Sequence, residues 1–137
     1  MKYEQFILDS DITVMYVAAK SFPIGVLEAH QKLHSTIPFS KQRKYFGLSR
    51  PDKNGDITYK AAAQELKDGE AKKFKLKTII IPAGTYACIT ITDYMKNIRS
   101  IGQAFQELTK IPDIDPKGYC VEWYMNDKDV KCMVRIV

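Results

Sequence analysis

Only three cysteines, Cys88, Cys120 and Cys132, occur in the 137 residues, at spacings of 32 and 12 and with no CxxC among them. That pattern argues against a disulfide framework and against a thiolate zinc site, and it suits small buried side chains in a reducing compartment. Apolar runs are short. The longest, 78–83, is strand-sized and far from the roughly 18 residues a membrane span requires. The first residues, Met1-Lys2-Tyr3-Glu4-Gln5, carry an acid and no following apolar block, so no secretory signal is read there, and a cytoplasmic protein is expected. Glycine (seven) and proline (six) are too few for a collagenous or linker-like chain. GxxxxGK[ST], GxGxxG and GxSxG are all missing, which removes the usual footholds of nucleotide and α/β-hydrolase chemistry.

What is present is enough for one core. Apolar residues make up 45% and charged residues 27%, with a net charge of +5 that permits an anionic partner without demanding one. The most informative feature is an internal similarity at a gapless shift of 74 residues. Ile24-Gly25-Val26-Leu27 falls on Ile98-Arg99-Ser100-Ile101, Ile37-Pro38 on Ile111-Pro112, and Tyr45 on Tyr119. Each half reads as strand, helix, strand, strand. The first comprises a strand over 12–20, a helix over about 23–37 with Ser21 as cap, and strands over 45–49 and 57–66 joined by Asn54-Gly55. The second has a strand over 85–92, a helix over 97–110, and a hairpin of 119–125 and 130–137. Between them, Lys73, Lys75 and Lys77 alternate with Phe74 and Leu76, which predicts a crossover strand over about 72–82 with one charged face. The expected organisation is a single α+β domain over 1–137, with repeats at about 12–64 and 85–137. It is a pseudo-two-fold duplication of a βαββ unit, with antiparallel sheets and two helices around a central cleft.

Several constellations offer chemistry. His30 and His34 stand four apart on one helical face, but Gln31 replaces the Glu of a zinc peptidase and the chain has no third histidine, so solvated or capping roles are expected and no metal. The basic stretches Lys41-Gln42-Arg43-Lys44 and 72–77 lack a recognition helix or an RNA-binding aromatic motif, and direct nucleic-acid binding is not expected. Asp52-Lys53-Asn54-Gly55-Asp56 lacks the spacing of a calcium loop and reads as a turn. The strand 119–124 is different. Alternation sets Cys120, Glu122 and Tyr124 on one face and Val121 and Trp123 on the other. A carboxylate within so apolar a strand either faces water or faces a ligand, and aromatic neighbours suit a cationic guest.

Tyr45-Phe46-Gly47, Ile57-Thr58-Tyr59-Lys60-Ala61-Ala62, Ile81-Pro82-Ala83-Gly84-Thr85-Tyr86-Ala87 and Glu122-Trp123-Tyr124, in this order and spacing, resemble the gyrase-inhibitor-like effector-binding domains, found alone or fused to AraC- and MerR-type transcription regulators. The resemblance implies a pair of SH2-like βαββ repeats and a cleft that takes hydrophobic or cationic small molecules, drugs included. It implies Glu122 as the ligand-facing acid and Tyr124 as its aromatic neighbour. The candidate ligand-binding residues are Glu122, Tyr124, Trp123, Phe46, Tyr59 and Tyr16. The function so implied is a stand-alone small-molecule-binding module that needs no cofactor and has room for a protein partner; whether it is also an enzyme stays open. Two alternatives stand beside it: a hydrolase of strained, cyclopropane-bearing natural products in which Glu122 activates water, and a protein inhibitor of the gyrase type.

Overall fold

β-branched and aromatic residues at period two build most of the sheet, and two amphipathic segments build the helices that cover one side of it. The computed structural model describes residues 2–137. In chain order these form β1 (Glu4–Leu8), β2 (Ile12–Ala18), α1 (Val26–Thr36), β3 (Tyr45–Pro51), β4 (Ile57–Gln64), α2 (Glu70–Phe74), β5 (Lys77–Ile81), β6 (Gly84–Ile91), α3 (Arg99–Leu108), β7 (Cys120–Tyr124) and β8 (Val130–Arg135). All strand pairs are antiparallel, in the order β1-β6-β8-β7-β3-β4-β2-β5, and the sheet curls into a half-barrel.

Both long helices lie on the outer face. α1 sets Ala29 and Leu33 on Met15, Ala61 and Ala63, while α3 sets Ala104 and Leu108 on Ala87, Cys132 and Val134. Leu33 and Leu108 are fully buried, each worth about 1.5–3 kcal/mol relative to an exposed position. The alanines let each helix come close to the sheet. On the inner face, Val14, Phe46, Leu48, Tyr86, Val121 and Met133 form a separate core inside the curl.

The duplication is present as β2-α1-β3-β4 and β6-α3-β7-β8, with strand orders β2-β4-β3 and β6-β8-β7. The two units meet where Leu48 of β3 pairs with Val121 of β7. The gapless offset of 74 needs correction, because a one-residue slip along a strand moves every side chain to the other face. It holds for β2 and β6, where Val14 and Cys88 both point inward. The helices require 75, which matches Ala29 and Leu33 to Ala104 and Leu108. The hairpins require 73, which matches Leu48 to Val121 and Ala61 to Val134. Tyr45 faces outward and Tyr119 inward, so the counterpart of Tyr119 is Phe46.

Three further expectations change. The crossover over 72–82 is not one strand: Glu70–Phe74 is helical, Lys75 adopts a left-handed conformation (φ 59°), and only Lys77–Ile81 is a strand. Phe74 and Leu76 are still better buried than Lys73, Lys75 and Lys77. The short helix is held by Glu70, whose carboxylate accepts the backbone N–H groups of Leu66 and Lys67 and both terminal nitrogens of buried Arg43. Second, α1 begins at Val26 after a Gly25 cap without a side-chain hydrogen bond, and Ser21 contributes only its carbonyl, to Gly25 N–H. Third, β1 pairs with β6, and β5 pairs with β2. Each repeat lends its leading strand to the edge of the other.

Candidate functional site

Strand alternation turns Cys120, Glu122 and Tyr124 outward, into the gap between α1 and α3. Glu122 keeps only 9% of its surface exposed. Its Oε1 accepts a 2.5 Å hydrogen bond from the Tyr124 hydroxyl. That hydroxyl lies 3.2 Å from the Tyr59 hydroxyl, which lies 2.8 Å from His30 Nε2. The four side chains thus form one hydrogen-bonded series from α1 to β7. A self-consistent arrangement has every donor pointing toward the carboxylate: His30 Nε2–H to Tyr59, Tyr59 to Tyr124, Tyr124 to Glu122.

Aromatic rings enclose the series. His30 meets the Tyr124 ring edge-on at 5.5 Å, Tyr94 packs on Tyr124 at 5.9 Å, and Phe22 stacks on Tyr59 at 6.0 Å. Gly47 faces Glu122 across the β3–β7 ladder and leaves room for the Tyr59 phenol.

Burial governs the electrostatics. It raises the Glu122 carboxyl above the ordinary carboxylate range, and the Tyr124 hydrogen bond opposes that only in part. Both phenols are pushed upward, first by burial and then by the charge of Glu122, so they remain neutral donors. His30 is lowered to about 4 by burial and by neighbouring His34, so its ring is neutral near pH 7. Among the described residues, no lysine, arginine or histidine lies within 4 Å of the Glu122 carboxylate. Keeping such an acid ionised without a cation is costly, which is why its pKa rises.

Of the six residues expected to line one cleft, three are together: Glu122, Tyr124 and Tyr59. Tyr16, Phe46 and Trp123 are not. They belong to the inner face, where Phe46 and Trp123 pack at 6.4 Å and Tyr16 lies under Lys60. Their aromatic character suggested a place beside Glu122, but strand parity puts them on the opposite face of the sheet. His30 replaces them. It was legible only as half of an i, i+4 pair, of which His34 is exposed and His30 is half-buried. Tyr94 carried no sequence signal beyond its type, and Gly47 entered only as part of the Tyr45-Phe46-Gly47 resemblance. The two histidine rings stand 6.4 Å apart, and among the described residues no group of three or more His, Cys, Asp or Glu side chains is placed to hold a metal ion. In the basic stretch 41–44, Arg43 is committed to Glu70 and to the carbonyl of Gln64. No helix is long and apolar enough to cross a membrane.

No family model matches the chain, and no curated protein matches it. Solved structures do. An integron cassette protein from Vibrio cholerae is 12% identical and aligns over 100% of this chain and 97% of its own, with a TM-score of 0.70. The protein SAV2435, solved bound to tetraphenylphosphonium, is 12% identical over 98% and 94%, with a TM-score of 0.64. A hydrolase from Listeria innocua is 10% identical over 99% and 92%, with a TM-score of 0.61. At such identities the likeness is one of fold: this chain has the same duplicated α+β architecture, along its whole length, as these three proteins.

Proposed function

We propose that the gap between α1 and α3 binds a small hydrophobic cation, and that the chain acts as an effector- or drug-binding module. The observation that carries this reading is Glu122: a carboxylate at 9% exposure, hydrogen-bonded to Tyr124 and unpaired with any protein cation among the described residues. A bound cation restores the stabilisation the carboxylate loses on leaving water. A charge-assisted contact of this kind is worth about 1.5–3 kcal/mol, and aromatic faces add about 0.5–2 kcal/mol. Phe22, 44% exposed and stacked on Tyr59, offers an apolar edge from solvent to the carboxylate. SAV2435, which shares the fold, was solved with a lipophilic cation, and that supports the choice of ligand class.

A second reading has its own support. A carboxyl with a raised pKa beside a phenol donor is equipped to take a proton from water, and one protein of the same fold is described as a hydrolase. Incubation with tetraphenylphosphonium, followed by thermal shift and mass spectrometry, tests the module. The expected result is a saturable rise in melting temperature with the cation recovered unchanged. No shift at millimolar cation overturns the binding reading, and turnover of a cyclopropane-bearing substrate that is lost in Glu122→Gln would establish the hydrolase instead.

A further inference from the structure

The inner face of the half-barrel carries a cavity of about 220 Å³, with Ile81, Tyr86, Tyr119 and Val121 on its apolar side and Lys117, Arg135 and Asp115 on its polar side. A second, of about 40 Å³, lies beside Phe6, Ile12, Lys44, Phe46, Trp123 and Met133. The corrected repeat offsets make these the same place in the two halves. Tyr86 corresponds to Ile12, Lys117 to Lys44 and Tyr119 to Phe46, and the registers of the exchanged edge strands match Ile81 to Phe6.

The two ends have diverged in one respect. Trp123 and Met133, which fill the small cavity, correspond at the hairpin offset of 73 to Arg50 and Lys60. These two cations flank the Tyr119 ring of the larger cavity, with Arg50 Cζ 4.6 Å and Lys60 Nζ 5.2 Å from its centroid. Lys60 Nζ also lies 3.3 Å from the Tyr119 hydroxyl and 5.3 Å from the centre of the Tyr16 ring. Among the described residues, no carboxylate lies within 4 Å of Lys60, Arg50 or Lys117. Arg135 is already engaged, with Asp115 at 3.2 Å and the Ala83 carbonyl at 3.1 Å. Lys60 is half-buried. A half-buried ammonium held only by rings and a phenol is the inner-face converse of Glu122.

We propose that this cavity is a second binding site, for a small carboxylic acid with an apolar body of one ring or a short alkyl chain. The carboxylate meets Lys117 and the Tyr119 hydroxyl, with the Lys60 ammonium 3.3 Å behind that hydroxyl, and the body lies on Ile81, Tyr86 and Val121. The volume is that of about seven liquid water molecules, below the range of drug-sized ligands, so the acid is a small one. The proposal is independent of the Glu122 reading, because the two sites lie on opposite faces of the sheet.

Phenylacetate is the probe, titrated into isotope-labelled protein by NMR and calorimetry, with 2-phenylethanol and inorganic phosphate alongside. The expected result is saturable binding with shifts at Lys117, Tyr119 and Val121, and at least about tenfold weaker binding of the neutral alcohol and of phosphate. Lys60→Met and Ile81→Phe, which reproduce the character of the filled end, should each weaken phenylacetate at least about tenfold. Lys117→Gln repeats the charge test on an exposed side chain without touching the core, and should weaken the acid but not the alcohol. Absence of saturation at millimolar phenylacetate, shifts confined to the helix face, equal binding of the alcohol, or unchanged affinity in folded variants would each overturn the proposal.

Discussion

Gly47 lies opposite Glu122 in the β3–β7 ladder, and the space left by its missing side chain holds the Tyr59 phenol. A Cβ at position 47 would stand 2.0 Å from the Tyr59 hydroxyl oxygen and 2.8 Å from Cζ. Something must shift at such distances, so Gly47→Ala displaces the phenol and disturbs its links to His30 and Tyr124. Overpacking of this kind costs about 1–3 kcal/mol. Urea denaturation should show that loss in the wild-type background and a clearly smaller one in a Tyr59→Leu background. The same cost in both would mean that the glycine serves something other than the tyrosine.

His30 supplies a pH test. Its folded pKa is lowered from 6.5 to about 4, so the unfolded chain takes up a proton that the folded chain refuses. Stability is therefore lost as pH falls through 6.5 and levels off near 4, a total of about 3 kcal/mol. His30→Gln should flatten the acid limb of the stability profile in that window. Parallel profiles for wild type and variant would show that the ring is not held neutral.

Tyr124→Phe removes the donor to Glu122 Oε1 while keeping the ring. A buried carboxyl with a raised pKa adds stability below its unfolded value and loses it as pH rises through the folded value. Without the phenol the folded value rises further, so that loss moves to higher pH. Carboxyl ¹³C titration of Glu122 should register the move, and titration at the same pH in both proteins would contradict it.

Arg43 and Glu70 form the other buried charge arrangement, with side chains only 4% and 16% exposed. The guanidinium and the N–H groups of Leu66 and Lys67 hold the Glu70 carboxyl down at about 2. That stability is present above the ordinary carboxylate range and is lost as pH falls toward about 2. Glu70→Gln strands the buried guanidinium, and a cost of about 3–5 kcal/mol is expected, most of it recovered in the double variant Arg43→Met/Glu70→Leu. A cost near the ~0.5 kcal/mol of a surface pair would show that the link is solvated.

Much of this was legible in the sequence, for identifiable reasons. β2 was marked by β-branched residues, the β3–β4 turn by Asn54-Gly55, and the shared face of Glu122 and Tyr124 by simple alternation. β1 was not, because only Phe6 and Leu8 of Glu4–Leu8 pack on the inner core and its partner is β6, some 80 residues away in register. The lysine alternation at 73–77 looked like a strand because local period two says nothing of Arg43, whose ion pair with Glu70 fixes a helical turn instead. The gapless repeat hid two changes of length, one residue gained before the second helix and two lost after it, which only the facing of Leu48, Val121, Ala29 and Ala104 exposes. Trp123, Phe46 and Tyr16 were drawn to the site by residue type, and the curl of the sheet gives them a face of their own.

The central claim is that the charge of Glu122, and not merely the shape around it, holds the ligand. Calorimetric titration of wild type and Glu122→Gln with tetraphenylphosphonium and with its neutral analogue triphenylphosphine oxide tests it directly. Loss of one charge-assisted contact predicts about a ten- to hundredfold drop in affinity for the cation, a much smaller change for the neutral compound, and little loss of folding stability. Equal losses for both compounds, or none for either, would contradict the account and leave Glu122 as an acid buried for structural reasons alone.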